Sequence, residues 1–373
     1  MNEKILTLIV PTYNMEEYLD KCLTSLIMED RGKMEQLEVL VIIDGATDRS
    51  AEIAHKYEEQ FSYTYRVIEK RNGNYGSCIN RGLEEAGGKY VKILDADDWF
   101  DTKVLEGYIS FLNNQTAYII INRAQSIDKF GKVIQEVGKL EDKVRSVKSL
   151  DTLDESFGAN IRMHNIAYRR EIFKEWDYHQ TEGIFYTDNE WVAVPMTRCK
   201  TIVFFDGVLY QYYIGREGRS MDFLILENRI KDIMLIGIKL LETYTYYNVN
   251  KGVKGILLGV LKQHIASMYN YSGILSNAEE FDKLESYIYS SNKELYDDMK
   301  LWTLKNRNLY YVPSRTHLWK VLFSILKTKG IKCAFYAFCE AFNYGFIIKS
   351  NWFFRYWFAM KQCVKKTILP KRE

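Results

Sequence analysis

Three carboxylates fall within four positions in Asp95-Ala96-Asp97-Asp98, directly after the mostly apolar run 90–94. Acids packed this closely repel one another and are costly to desolvate, so the cluster suits a hard divalent cation, Mg²⁺ or Mn²⁺, that carries substrate phosphates. A capped turn into a helix beginning at Thr102 accounts for the same residues without chemistry. A second acidic pair, Asp188 and Glu190, stands before the apolar run 192–196. One of them could take a proton from an attacking hydroxyl, or the pair could simply cap and charge a helix N-terminus. Arg216 and Arg219 flank Gly218 in a stretch suited to clamping a phosphate-bearing group. His164 sits in a largely apolar segment, as a packed core residue or as a contact for a second substrate.

Strands and helices in alternation must position these groups. Residues 5–10, 37–43, 65–68 and 90–94 are short apolar runs that read as strands. Helical spacing of apolar residues follows the first (Tyr18, Leu19, Cys22, Leu23, Leu26, Ile27), and helices are expected from Ser50 through Tyr57 and over 78–86. Such alternation predicts a doubly wound, mostly parallel α/β sheet, in which ligands bind beyond the carboxyl ends of the strands. Those ends carry Pro11-Thr12-Tyr13, Asp44-Gly45 and Asp95-Ala96-Asp97, so three polar strand ends converge on one crevice. The loop Asn72-Gly73-Asn74-Tyr75-Gly76-Ser77 is Gly-rich, but no Gly-x-Gly-x-x-Gly follows the first strand and no Gly-Lys-Ser/Thr occurs. Dinucleotide-binding and P-loop enzymes are thereby disfavoured. Further on, residues 118–122 read as a strand, 128–132 as a hairpin turn and 133–137 as its return.

Composition adds the compartment and a charge asymmetry. The chain has 373 residues and a formal net charge of +2, yet residues 301–373 hold fourteen Lys or Arg against two acids. A basic tail thus follows an acidic body. The six cysteines show no Cys-x-x-Cys pair, which argues for reduced thiols in the cytoplasm. The start of the chain lacks signal-peptide architecture, and no uncharged apolar run reaches the ~18 residues of a membrane span.

The order and spacing of Ile9-Val10-Pro11-Thr12-Tyr13-Asn14, Ile42-Ile43-Asp44-Gly45-Ala46-Thr47-Asp48-Arg49-Ser50, Asn72-Gly73-Asn74-Tyr75-Gly76 and Leu94-Asp95-Ala96-Asp97-Asp98-Trp99 resemble the nucleotide-sugar-binding half of family 2 glycosyltransferases, of GT-A fold and bacterial cell-surface glycan type. The resemblance spans about residues 5–222 and implies a UDP-sugar donor with Mn²⁺ or Mg²⁺. By it, Pro11, Thr12 and Tyr13 line the base pocket and Asp44 bonds the base or ribose. Asn72, Gly73 and Ala96 join them in the donor site, Asp95 contacts the ribose or diphosphate, and Asp97 ligates the metal. Asp-Gly-Ala-Thr stands where Asp-Asp-Gly-Ser or Asp-Gly-Ser-Thr is commoner, which leaves Asp44 in place. The family's Glu-Asp pair opening a helix aligns its Asp, the base, with Asp188, and Thr187 replaces the Glu; Glu190 is the second choice. The stretch 208–221 resembles the family's closing loop, with Arg216 and Arg219 on the diphosphate. His164 and Trp191 are the candidate acceptor contacts.

These features imply an inverting, metal-dependent, non-processive transfer to a saccharide or lipid-linked glycan, since no Gln-x-x-Arg-Trp motif is present. A nucleotidyltransferase and an inactive sugar-nucleotide-binding scaffold are the alternatives. The expected division is 1–222 for the GT-A domain (1–100 for the donor, 101–222 for the acceptor side and closing loop) and 223–373 for a helical region. Helical periodicity dominates to about Leu301, and the basic, aromatic tail beyond suits an anionic membrane surface, an oligomer interface or an accessory packing domain rather than nucleic acid. The protein is accordingly expected at the inner face of the cell membrane.

Overall fold

The computed structural model describes residues 3–138, 146–158, 160–214, 216, 223–274 and 278–297. In chain order come β1 (Leu6–Thr12), α1 (Leu19–Thr24), α2 (Arg31–Glu35), β2 (Leu37–Asp44), α3 (Ser50–Gln60), β3 (Tyr65–Lys70), α4 (Asn74–Glu85) and β4 (Tyr90–Ile93). Then follow β5 (Trp99–Phe100), α5 (Thr102–Asn113), β6 (Ile119–Ile127), β7 (Val133–Val137), β8 (Lys148–Ser149), α6 (Glu155–Gly158), β9 (Ile166–Arg169), α7 (Glu171–Lys174), α8 (Asp188–Ala193) and β10 (Thr201–Tyr213). The long helices α9 (Phe223–Tyr246), α10 (Lys251–Ile274) and α11 (Ala278–Ser291) close the described chain.

All ten strands form one sheet, ordered β3-β2-β1-β4-β9-β6-β10-β5, with β7 on β6 and β8 on β10. Its first four strands are parallel throughout, and β1 and β4 are buried on both faces because crossover helices cover each side. Beyond β4 the pairing is mixed: β9 runs antiparallel to β4 and β6, whereas β6 and β10 are parallel. Close helix packing is visible at Gly82, where an added Cβ would lie 2.6 Å from a methyl of Ile9 on β1. The described residues fall into two compact units: those up to 225 with 239–261, and 226–238 with those from 262 to 297. In the second, Ile230, Ile233, Ile236, Ile265, Leu284 and Ile288 form the apolar interior, and the buried His264 imidazole bonds the Ile233 carbonyl at 2.8 Å.

Three elements differ from expectation. The Gly-rich stretch is largely the first turn of α4, secured by a bond from the Ser77 hydroxyl to the Asn74 carbonyl (2.7 Å). Val208 to Tyr213, expected within a closing loop, continue β10, because they pair with β5 and β6 and bury Leu209, Tyr210 and Gln211 there. His164 lies not in a strand but in the 3₁₀ turn Met163–Asn165 that leads into β9. Arg219 and the tail 301–373 lie outside the described residues. Among the described residues no helix is long and apolar enough to cross a membrane.

Candidate active site

The acidic loop after β4 is not spent on helix capping. Asp101 is the N-cap of α5, its carboxylate accepting the Val104 N–H at 3.0 Å, so Asp95, Asp97 and Asp98 are left for other work. Asp95 accepts the Tyr75 hydroxyl at 2.7 Å, and its own N–H donates to the Tyr210 hydroxyl at 3.1 Å. Tyr210 in turn donates to Asp98 (2.7 Å), whose other oxygen accepts the Tyr213 N–H (2.7 Å). Asp97 forms an ion pair with the Arg216 guanidinium at 2.7 Å. Burial, followed by the charges of Asp97 and Asp188, raises the Asp95 pKa to about 7. Asp98 is pushed well above the carboxylate range by burial and then by Asp97 and Asp95.

The oxygens of Asp95 and Asp98 and an imidazole nitrogen of His164 lie within 4.8 Å of one another. Two carboxylates and an imidazole form a donor set that fits a divalent cation of the Mn²⁺ kind, and cationic neutralisation would relieve the mutual repulsion that raises both acids. The set differs from the expected ligand: Asp97 is engaged by Arg216, while His164, expected at the acceptor, faces the carboxylates. The ring of His164 lies 4.9 Å from that of Tyr210 and 4.4 Å from that of Tyr212. Beneath it, the fully buried Lys92 on β4 donates to the His164 carbonyl (2.8 Å) and the Ile166 carbonyl (3.2 Å). Burial drives the Lys92 pKa well below its usual value.

At the neighbouring strand ends lies a polar rim. Pro11 and Thr12 end β1 in buried positions, and Tyr13 follows at 49% exposure. Asp44, buried at the end of β2, is ion-paired with Lys70 at the end of β3, its partner in the parallel register. The Gly73 N–H donates to the Asp44 carboxylate and the Asn72 side chain to the Asp44 carbonyl, both at 2.9 Å. Gly45 turns the chain here with φ +68°, a left-handed conformation that glycine adopts without strain. Ala96 is buried within the acidic loop.

The two candidate bases have different surroundings. Asp188 begins α8 half-buried; burial raises its pKa, against the opposing influence of the Asn189 N–H and the Arg162 charge. Glu190 is wholly buried, ion-paired with Lys239 and bonded to the Thr181 N–H at 3.2 Å. Trp191 corrects an expectation: it is fully buried, stacked on Phe173 at 5.4 Å and edge-on to Tyr168 at 5.3 Å, and so cannot offer its ring to an acceptor. Sequence reasoning names Tyr75 and Asp98 only as members of their motifs, and it misses Lys70, Lys92 and Tyr210 as site residues. For Lys70 a signal existed, since placing strand two beside strand three sets its amine next to Asp44.

Residues 7–176 match the family described as Glycosyl transferase family 2. Among curated relatives, the chain is 29% identical over 225 residues to an uncharacterized glycosyltransferase of Mycoplasma pneumoniae, the MG025 homolog, covering 58% of this chain and 70% of that protein. It is 30% identical over 125 residues to the poly(ribitol-phosphate) β-N-acetylglucosaminyltransferase TarS of Staphylococcus aureus, covering 34% of this chain but only 22% of TarS. The chain spans less than half the length of several curated relatives it matches. The crystal structure of S. aureus TarS 1–349 in complex with UDP-GlcNAc superposes with a TM-score of 0.54 at 20% identity, over 83% of this chain and 87% of that one. The fold is therefore GT-A.

Proposed function

We propose that this protein is an inverting, metal-dependent, non-processive glycosyltransferase that moves one sugar from a UDP-sugar to a hydroxyl of a saccharide or lipid-linked glycan at the bacterial cell surface. The observation that carries the reading is the convergence of the Asp44–Lys70–Gly73 rim and the Asp95–Asp98–His164 donor set at adjacent strand ends. A relative that transfers N-acetylglucosamine, and the TarS complex with UDP-GlcNAc, support UDP-GlcNAc as the first donor to try. No triphosphate loop rich in Gly and Arg/Lys follows β1, which disfavours a nucleotidyltransferase.

In this reading Pro11, Thr12, Tyr13, Asn72, Gly73 and Asp44 receive the uridine, with Lys70 paired to Asp44. Asp95, Asp98 and His164 would hold Mn²⁺ or Mg²⁺, and Asp97, once Arg216 turns to a phosphate, would join them as a ligand. A divalent cation supplies charge neutralisation of the diphosphate as it departs. Arg216 exchanges its bond to Asp97 for a phosphate oxygen, and Arg219 is proposed to do likewise. Asp188 accepts the proton of the acceptor hydroxyl while its oxygen attacks the anomeric carbon. The bond from that carbon to the diphosphate breaks on the opposite face, UDP leaves with the electron pair, and configuration inverts. His164 also remains a proposed acceptor contact.

The test is UDP release from UDP-GlcNAc by the purified chain with Mn²⁺, preceded by a thermal-shift comparison of UDP-, GDP- and dTDP-sugars. Mn²⁺-dependent stabilisation by UDP-GlcNAc together with turnover supports the reading. Stabilisation without turnover on any donor or acceptor would leave the inactive scaffold. We extend the proposal to the basic, aromatic stretch 301–373 as a contact with the inner membrane face, expected to co-sediment the protein with anionic but not neutral vesicles, and less at high salt.

A further inference from the structure

We infer that Lys239, on α9, is a positioning residue that fixes Asp188 through a buried clamp on α8. This rests on the reading of Asp188 as the base. The first turn of α8 is gripped at two points. Gln180, itself fully buried, donates its side-chain N–H to the carbonyl of Thr187, the N-cap residue, at 2.6 Å. Two residues past Asp188, the Glu190 carboxylate has no solvent exposure and is balanced by the Lys239 ammonium, which also donates to the Thr181 hydroxyl at 2.9 Å.

Residues 178–183 connect this clamp to the donor side. The Gln180 N–H donates to Asn80 on α4 (2.8 Å), and the Asn80 amide donates back to the Gln180 carbonyl (2.9 Å) and to Glu182 (2.8 Å). The Gly183 N–H reaches the Gly73 carbonyl at 3.2 Å. At Gly76 the fit is so close that an added Cβ would stand 2.0 Å from the Thr181 carbonyl oxygen. The strap therefore has no room to shift, and α8 takes its position from α4 on one side and from Lys239 on the other. A buried carboxylate that loses its cation must move toward water or take up a proton, and either outcome displaces the turn that carries Asp188. Glu190 is thus assigned to holding the helix rather than to proton transfer.

The experiment uses the full chain, UDP-GlcNAc and Mn²⁺, with UDP release as the readout. Lys239→Met should lower kcat by about 10-fold or more, as sub-ångström misplacement of a reacting group does, and leave the donor KM within about two-fold. Lys239→Arg, which keeps a cation, should recover most of the loss. In an Asp188→Asn background Lys239→Met should cost nothing further, because the clamp acts only through Asp188. Unchanged kcat in Lys239→Met, or the same loss repeated in the Asp188→Asn background, overturns the inference. If Lys239→Met alone fails to fold, the double variant Lys239→Met/Glu190→Gln removes both charges, and a wild-type kcat there overturns it equally. Asp188→Asn retaining wild-type kcat would instead overturn the base assignment, whatever Lys239 does.

Discussion

The two halves of this sheet, proposed above to serve the donor and the acceptor, are built on opposite plans. From β1 to β4 the strands are parallel neighbours, and each delivers its polar residues at its own carboxyl end: Thr12, Asp44, Lys70 and Asp95. Beyond β4 the working groups hang on short pieces, a 3₁₀ turn for His164 and a six-residue helix for Asp188. Those pieces are too short to hold themselves. Side chains from distant elements hold them instead: Lys92 under His164, and Gln180 with Lys239 at α8. The comparison teaches that the proposed donor site is a property of the sheet, whereas the proposed acceptor side is a property of a few buried polar bonds.

If that division is right, changes in the two halves should move different constants. The largest effect belongs to Asp188→Asn, expected to lower transfer by roughly 10²-fold or more with UDP affinity intact. Its pH signature is separable: only the ionised carboxylate can accept a proton, and burial raises its pKa. Activity should therefore fall as pH drops through a value above the ordinary aspartate pKa of about 3.9, and the variant should lose that limb. Next comes the metal set. Asp97→Asn and His164→Ala should each remove most Mn²⁺-dependent UDP affinity in a calorimetric titration, and a chelator should do the same to the wild type. If His164→Ala alters only acceptor KM, His164 belongs to the acceptor and not to the cation.

A third, smaller effect is expected for Lys70→Ala, which leaves Asp44 without its cation and should weaken UDP binding by about 10-fold at unchanged kcat, in line with loss of one charge-assisted bond. Lys92→Met should lower stability by about 1–3 kcal/mol, since two buried carbonyls lose their donor, and should weaken Mn²⁺-dependent UDP binding by less than His164→Ala does. The smallest is Gly131→Ala in the β6–β7 hairpin. There φ is +77° with open space around, so about 1 kcal/mol of backbone strain and no change in either constant should follow.

The same division explains what could be read from the chain. Strand ends carry their residues in cis, so Pro11, Thr12, Asp44 and Asp95 announce themselves through an apolar run followed by a polar stop. Tyr210 and Lys92 look like ordinary strand residues, and only the pairing of β10 with β5 brings Tyr210 under the acidic loop, as that of β9 with β4 brings His164 over Lys92. Trp191 carries no sequence mark of its burial: only the packing of Phe173 and Tyr168 against α8 takes its ring into the interior. The pairing of Asp97 with Arg216 joins residues 119 apart and carries no local signal.

The strap over α4 also has a temporal consequence. Its bond between Asn80 and Gln180 closes a loop of 100 residues, while the parallel core from β1 to β4 is complete by Ile93. Long closures form late in folding, after shorter ones have reduced the chain's freedom. Amide hydrogen exchange should accordingly find the N–H groups of α8 and of residues 180–183 opening at lower free energy than those of β1 and β2. A refolding chain would then gain affinity for UDP before it gains the ability to transfer, and the lag between the two, followed by stopped flow, would time the closing of the strap.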